Sequence, residues 1–185
     1  VSLMGSDIRL AFYYQQAVKL SNFISWKALI VKSQDMKDNI RLKSACVIPN
    51  GIDIDLFKPL DKDTCLNRLG WDKMNKHILF AANPGREVKN FKLAEKAWKL
   101  LDFSHQAELH VLENAPHQDI ATYMNASDIV VLSSLWEGSP NVVKEAMACN
   151  CPVVATDVGD VRWLFGKLEG HYLTSFDPQD VADKI

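Results

Sequence analysis

Glu137-Gly-Ser-Pro-Asn-Val-Val-Lys-Glu145 decides the fold, with Asp128-Ile-Val-Val-Leu-Ser133 ahead of it and Ala-Met-Ala-Cys149 behind. The β-branched run reads as a buried strand, Gly138 as a tight turn and Pro140 as the first turn of a helix. That order of strand, turn and helix N-terminus is how parallel α/β sheets hold nucleotide phosphates. Pro140 costs no hydrogen bond there, because the first amides of a helix have no partner within it. Ser139 is the natural N-cap, and the amides of Asn141 and Val142 point at whatever precedes the helix. An anion there gains from those N–H groups and from the helix dipole, the latter about 0.3–1 kcal/mol at an exposed site. Gly138 lets a ligand approach the backbone closely.

Two carboxylates flank this turn. Val142, Val143, Ala146 and Met147 form the apolar face of the helix, whereas Asn141 and Glu145 fall on another face. Glu145 then looks along the rim beside a bound anion, and Glu137 stands at the mouth of the turn. Sugar hydroxyls suit both, since carboxylates accept strongly from O–H donors. Periodicity equally admits Glu137 as a solvated loop residue and Glu145 as an i,i+4 surface partner.

Outward from this stretch, strands and helices alternate. Strands are expected at 77–81, 108–112, 129–132, 152–156 and near Tyr172, with helices at 91–101, 119–126, 140–149, 161–165 and from Asp177. Earlier in the chain, strands at 1–4, 28–31 and 46–48 enclose a turn at Gly5-Ser-Asp7 and a helix over 8–26. A short helix over 34–42 follows, with Ser33 as its cap. Pro49-Asn-Gly51 breaks the pattern, residues 52–63 read as polar connection, and a helix over 64–69 ends at Gly70 in a left-handed turn. The expected fold class is α/β, a Rossmann-like parallel sheet with helices on both faces. Ligands in such sheets sit outside the carboxyl ends of the strands, so the loops after Ala81, Leu112, Leu132 and Thr156 should share one rim. Arg86 and Lys89 lie in the first of these loops. They would complement a pyrophosphate there, with Arg capable of bidentate contact, or they stand simply solvated.

Composition narrows the choice. In 185 residues, 21 Lys+Arg against 23 Asp+Glu leave a formal charge of -2, which offers no field for nucleic acid. The four cysteines lack paired C-x-x-C spacing, so they read as reduced packing thiols in a cytoplasmic protein. No apolar run approaches the roughly 18 residues of a membrane span. His77 and His110 alternate within strands as structural histidines, His105 and His117 sit in loops, His171 precedes a strand, and no metal site is expected. The sequence contains no G-x-S-x-G elbow, Walker loop or G-x-G-x-x-G fingerprint.

The stretch 137–148, the preceding Ala126-Ser-Asp128, and Pro152-Val-Val-Ala-Thr-Asp-Val-Gly159 together resemble the donor-site signature of family 4 retaining glycosyltransferases. These are group 1 enzymes of the GT-B fold. Asn50-Gly-Ile-Asp53 and Phe57-Lys-Pro59 are similar to the family's linker into its C-terminal domain. The resemblance implies two units: residues 1–45 as the tail of an N-terminal acceptor domain, and 46–185 as a nucleotide-sugar-binding domain lacking its last helix. It also implies roles. Glu145 holds ribose hydroxyls, Glu137 faces the transferred sugar, and Arg86 and Lys89 neutralise the departing diphosphate. The backbone from Gly138 through Ser139, Pro140 and Asn141 to Val142 assists.

The implied function is hexosyl transfer with retention, from a UDP- or GDP-linked sugar to a carbohydrate or lipid-linked acceptor, in polysaccharide biosynthesis. No metal or other cofactor is required, and membrane contact would be peripheral, through the absent N-terminal domain. By itself this stretch is expected to bind donor and to transfer little or no sugar. Alternatives are a GT-B nucleotide-sugar epimerase and a non-catalytic nucleotide-binding module. Departures from the family pattern are Met4 where many relatives have histidine, Asn150 and Asp160 at two glycines, and Trp163 near an acidic position, with Arg162 beside it.

Overall fold

The computed structural model describes residues 1–3, 12–102 and 106–185. Met4, the turn at Gly5-Ser-Asp7, the first residues of the helix expected from position 8, the side chains at 12–14, and His105 lie outside the described residues.

The smaller of two parallel sheets pairs β1 (Ile30–Val31) with β2 (Cys46–Val47), and Ser2 adds a bridge to Ile30. Helices α1 (Phe12–Ile24) and α2 (Gln34–Ile40) accompany it. Leu29, Val31, Met36, Ile40 and Ala45 form its core. Ser33 caps α2 as expected, its hydroxyl accepting from the Met36 amide at 3.2 Å. This sheet takes in Cys46 and Val47, on the far side of the division expected at residue 45.

The larger sheet contains β3 (Lys76–Phe80), β4 (Ala107–Val111), β5 (Ile129–Leu132), β6 (Val153–Thr156) and β7 (His171–Thr174), all parallel in the order β4-β3-β5-β6-β7. Alternate residues serve two cores. Leu79, Val130, Leu132, Val153 and Ala155 pack with α5 (His117–Ala126), α6 (Asn141–Ala148) and α7 (Val161–Phe165). Ile78, Phe80, Ile129, Val131 and Val154 pack with α4 (Phe91–Lys99) and α8 (Pro178–Ala182). Strands covered on both faces must be apolar throughout, which is why 129–132 is an unbroken apolar run. Each such side chain contributes about 1.5–3 kcal/mol on burial. The expected α/β fold class is the one observed.

Chain order positions the crevice. From β3 the chain steps outward to β4, then crosses back to place β5 on the other side of β3. The loops leaving β3 and β5 therefore diverge to opposite faces, and a cleft opens between them at the carboxyl ends of the strands.

Three local features differ from the sequence reading or refine it. The stretch 52–63 is not merely a polar connection: Phe57 is fully buried, and Ile52 and Leu56 pack against the same core. Asn125 fastens it, donating to the Lys58 carbonyl at 3.0 Å and accepting from the Leu60 amide at 2.7 Å. Helix α3 (Lys62–Leu69) starts two residues early because Asp61 caps it, accepting from the Thr64 amide at 2.8 Å. Gly70 adopts the expected left-handed turn, φ 69°. Asn150 sits at φ 57°, a conformation asparagine tolerates better than other non-glycine side chains do.

Cys65, Cys149 and Cys151 are buried in the core and Cys46 is exposed. Burial pushes the Cys149 and Cys151 thiols up to about 11 and about 12, so they act as packing groups. No helix among the described residues is long and apolar enough to cross a membrane.

Gly159 packs against the turn at Glu137 and Gly138 on the rim of the larger sheet. It sits at φ 61°, and a Cβ there would lie 2.6 Å from the Gly138 carbonyl oxygen. Gly159→Ala is expected to cost about 1–3 kcal/mol from backbone conformation alone, with the clash added. Urea unfolding checks this; an unchanged midpoint would show that the 137–138 turn moves aside freely.

Candidate functional site

The loops leaving β3 and β5 are laced together by short polar contacts. Ser133, buried at the end of β5, donates its hydroxyl to the carbonyls of Lys89 and Asn90, both at 3.0 Å. The Leu135 amide donates to the Val88 carbonyl at 2.8 Å. Thr156 at the end of β6 donates to the Ser134 carbonyl at 2.7 Å. Three strand ends thus share one polar floor, and Ser133 and Ser134, which sequence reasoning passed over, are its centre. The only signal for them was position: two small hydroxyls directly after an apolar strand.

On this floor Lys89 and Glu137 meet. Nζ of Lys89 lies 2.6 Å from Oε1 of Glu137, with each side chain 15% exposed. The Ser134 hydroxyl donates to the same carboxylate oxygen at 2.7 Å. Glu137 is therefore not a solvated loop residue. The two charges, expected to face separate parts of a ligand, face each other. Removing either would leave the other largely desolvated and unpaired, the costly case for partly buried ion pairs.

Arg86 differs. It precedes a single 3-10 turn (Glu87–Lys89), its backbone is fixed by a bond from its amide to the Asn83 carbonyl at 3.2 Å, and it is exposed. Its guanidinium has no carboxylate partner among the described residues. At this rim Lys89 is occupied and Arg86 is available.

Helix α6 begins beside the pair, and the expected cap is corrected. Pro140 occupies the N-cap position with no side-chain cap bond. Ser139 is drawn away: its buried hydroxyl donates to Oδ2 of Asp160 at 2.6 Å and accepts from Nζ of Lys144 at 2.8 Å. Lys144 also donates to the Asn50 carbonyl at 2.7 Å, so it ties α6 to the segment joining the two sheets. With Ser139 engaged elsewhere, no side chain among the described residues caps the first amides of α6. Asn141 is exposed and Val142 half-buried at that end.

Glu145 lies one turn in. It is 8% exposed, so it is no surface i,i+4 partner, and its carboxylate makes no hydrogen bond among the described residues. Burial raises its pKa above the usual carboxylate value, partly offset by His117 and Lys144. A largely buried carboxylate with no protein donor is costly to keep ionised, and hydroxyl donors from a ligand would relieve it.

Adjacent to this rim, a cavity of about 410 Å³ separates the two sheets, lined by Lys32, Ser33 and Gln34 on one side and Gly159, Asp160 and Trp163 on the other. Asp160 and Trp163, both departures from the family pattern, face it, while Glu137, Glu145, Arg86 and Lys89 do not. Among the described residues, the one group of three His, Cys, Asp or Glu donors close enough to share an ion is His77, Glu108 and His110, away from this rim.

A profile of the family described as "Glycosyl transferases group 1" matches residues 77–185, more than half of the chain. TuaC of Bacillus subtilis, named as a teichuronic acid biosynthesis glycosyltransferase, is 28% identical over 207 aligned positions covering 100% of this chain and 53% of TuaC. Sucrose-phosphate synthase of Thermosynechococcus elongatus superimposes with a TM-score of 0.80 at 17% identity, over 98% of this chain and 53% of that one. HepE of Anabaena, solved with UDP, gives 0.79 at 21% identity, over 98% and 60%. This chain spans about half the length of these relatives, and the shared fold is that of GT-B C-terminal domains.

The environment of Glu145 makes a stability prediction. Because its folded pKa is raised, the folded state holds the proton more tightly, and stability falls as pH rises through that value. Glu145→Gln is therefore expected to melt at a higher temperature than wild type at pH 7, with the difference closing toward pH 4. Thermal scans across that range check the sign; a variant less stable at pH 7 would mean the carboxylate has strong donors after all.

Proposed function

Because this chain belongs to the group 1 glycosyltransferases, we propose that it forms the donor half of a family 4, retaining hexosyltransferase using a UDP- or GDP-linked sugar. The observation that carries this is the conjunction at the β3–β5 cleft. The Lys89–Glu137 pair stands before the uncapped start of α6, with an unpartnered, buried Glu145 one turn behind.

In this reading the diphosphate lies against the first amides of α6, where the helix dipole and free N–H groups favour an anion. Arg86 swings onto it from the facing loop as a bidentate donor. Glu145 accepts from the ribose hydroxyls and thereby gains the donors its burial denies it. Glu137, held by Lys89 and Ser134, faces the transferred sugar. When the bond from the anomeric carbon to the diphosphate oxygen breaks, negative charge gathers on the leaving group. Arg86 and Lys89 meet that charge, which is the main catalytic lever these residues possess. The acceptor hydroxyl supplies the new bond to the anomeric carbon, and its proton leaves toward the departing diphosphate. In this scheme Arg86, the start of α6 and Lys89, the last by turning from Glu137 toward the leaving group, would supply the charge that a metal otherwise carries.

Support for the nucleotide comes from the company the fold keeps: HepE was also solved with UDP-glucose. The acceptor belongs to the carbohydrate or lipid-linked class, as in the Escherichia coli relative named as a galactosyltransferase acting on GlcNAc-diphosphoundecaprenol. Nothing in the geometry favours an epimerase or a non-catalytic module.

Calorimetry of the full-length protein with UDP and GDP is expected to show binding of one or both. Glu145→Ala should weaken it about 10- to 100-fold, the worth of a charge-assisted hydrogen bond. No binding of either nucleotide at millimolar concentration would overturn the proposal, and unchanged affinity in the variant would overturn the ribose role. In transfer assays, Arg86→Ala and Lys89→Ala should each lower kcat by on the order of 10²–10³-fold, typical for loss of one donor to developing charge. Full activity in either variant would remove that cation from the mechanism.

A further inference from the structure

Strands β3 and β4 run in register, with His77 opposite Glu108 and Leu79 opposite His110. The two-residue period of a strand puts His77, Glu108 and His110 on one face of the sheet. Their donor atoms all lie within 4.8 Å of one another. His77 and Glu108 each stand second in their strands, so the group sits toward the amino ends, whereas the cleft opens at the carboxyl ends. None of the chemistry assigned above uses these residues.

Each donor is held from behind. Nε2 of His77 lies 2.8 Å from the Asp72 carbonyl, which can only accept, so that nitrogen carries the proton and Nδ1 offers its lone pair to the group. Oε1 of Glu108 accepts from the side-chain Nδ2 of Asn75 at 2.5 Å, which leaves Oε2 facing Nε2 of His110 at 3.5 Å. Trp71 lies flat on the His110 ring, centroids 3.5 Å apart at 10°, and leans over His77 at 4.8 Å. Stacking fixes both ring planes and leaves their edges free. Backbone and amide partners that orient ligating atoms in this way are the usual support of a metal centre.

We propose that His77, His110 and Glu108 bind a divalent transition-metal ion of the zinc class, with solvent completing its coordination. Two imidazoles and one carboxylate are a donor set that suits this borderline-soft ion. His77 is fully buried, while the side chains of His110 and Glu108 are 18% and 42% exposed, so an ion has an approach from the solvent side. Without metal, Nδ1 of His77 and Nε2 of His110 are 2.9 Å apart and share one proton as a hydrogen bond. Tetrahedral bonds of about 2.0–2.1 Å would need these nitrogens roughly 3.3 Å apart. Binding therefore asks His110 to open by a few tenths of an ångström and to carry its proton on Nδ1 instead; no net proton is released. The ion would clasp the edge of the sheet to the turn at 72–75 that precedes β3.

The test uses tag-free, full-length protein stripped with a chelator, and Co²⁺ as a spectroscopic probe. One equivalent of Co²⁺ is expected to give visible ligand-field bands and to quench Trp71 fluorescence, and Zn²⁺ should displace it. At a hundredfold excess over its Kd, Zn²⁺ should raise the unfolding midpoint by roughly 5–10 °C. Glu108→Gln and His110→Gln, chosen because both side chains reach the surface, should each lower Co²⁺ affinity at least about 10-fold while leaving nucleotide binding unchanged. Absence of Co²⁺ bands and of any Zn²⁺ shift in wild type overturns the proposal and leaves a hydrogen-bonded histidine pair. Equal Co²⁺ affinity in wild type and both variants overturns it too, since the ion would then sit elsewhere.

Discussion

Everything at the candidate site depends on one constraint: the chain must cross β3 on its way from β4 to β5. That reversal separates the loops after β3 and β5 and would leave an open notch, because each loop turns toward its own face of the sheet. The ion pair between Lys89 and Glu137 spans the notch, and Ser133 and Ser134 fasten the pair to the strand ends below. Charges 48 residues apart in sequence are thus brought into contact by strand order. A cleft whose walls are joined in this way keeps its shape without a ligand, so a bound anion would not have to order both loops as it arrives.

The same corner carries unfavourable groups that the cores must offset. Glu145 is largely buried and has no hydrogen-bond donor among the described residues, and Oδ1 of Asp160 is buried without a partner there. Each is worse placed than it would be in water, and burial raises both pKa values accordingly. The apolar layers on either face of the sheet are large enough to tolerate this. A buried polar group short of partners calls for an explanation, and beside a cleft a polar ligand supplies one; Nδ1 of His171 and Oγ1 of Thr174, on β7, are buried without partners as well.

Much of this was legible in the sequence, and the parts that were not share a cause. Local chemistry read well: Ser33 caps α2, Gly70 ends α3, and the apolar run before Ser133 is a buried strand. Contacts that require strand order were invisible. Lys89 and Glu137 were each assigned to the rim, but nothing local says that they bond to each other. Ser139 looked like a cap because its position fits one; Asp160 and Lys144, arriving from elsewhere, compete for its hydroxyl and win. His77 and His110 have no ligand spacing along the chain, yet parallel register brings a nitrogen of each ring to 2.9 Å from the other. Phe57 was lost in a polar stretch because one aromatic carries no periodicity.

The departures from the family pattern are also coupled to the helix they flank. Asp160 and Trp163 line the cavity between the sheets, and Asp160 accepts from Ser139, the residue just ahead of the α6 N-cap. Lys144 completes the circuit, bonding at once to Ser139 and to the Asn50 carbonyl in the segment that joins the sheets. A glycine at 160 could not make this contact, and Ser139 would then be free to turn toward the amides of α6. Asp160, Ser139 and Lys144 together form a hydrogen-bonded link from cavity wall to helix to connecting segment. Because Lys144 and Asp160 are partly desolvated, the link is not easily replaced by water. The wall of the cavity and the start of α6 must then move as one unit, since displacing either leaves Asp160 with two unpartnered oxygens instead of one.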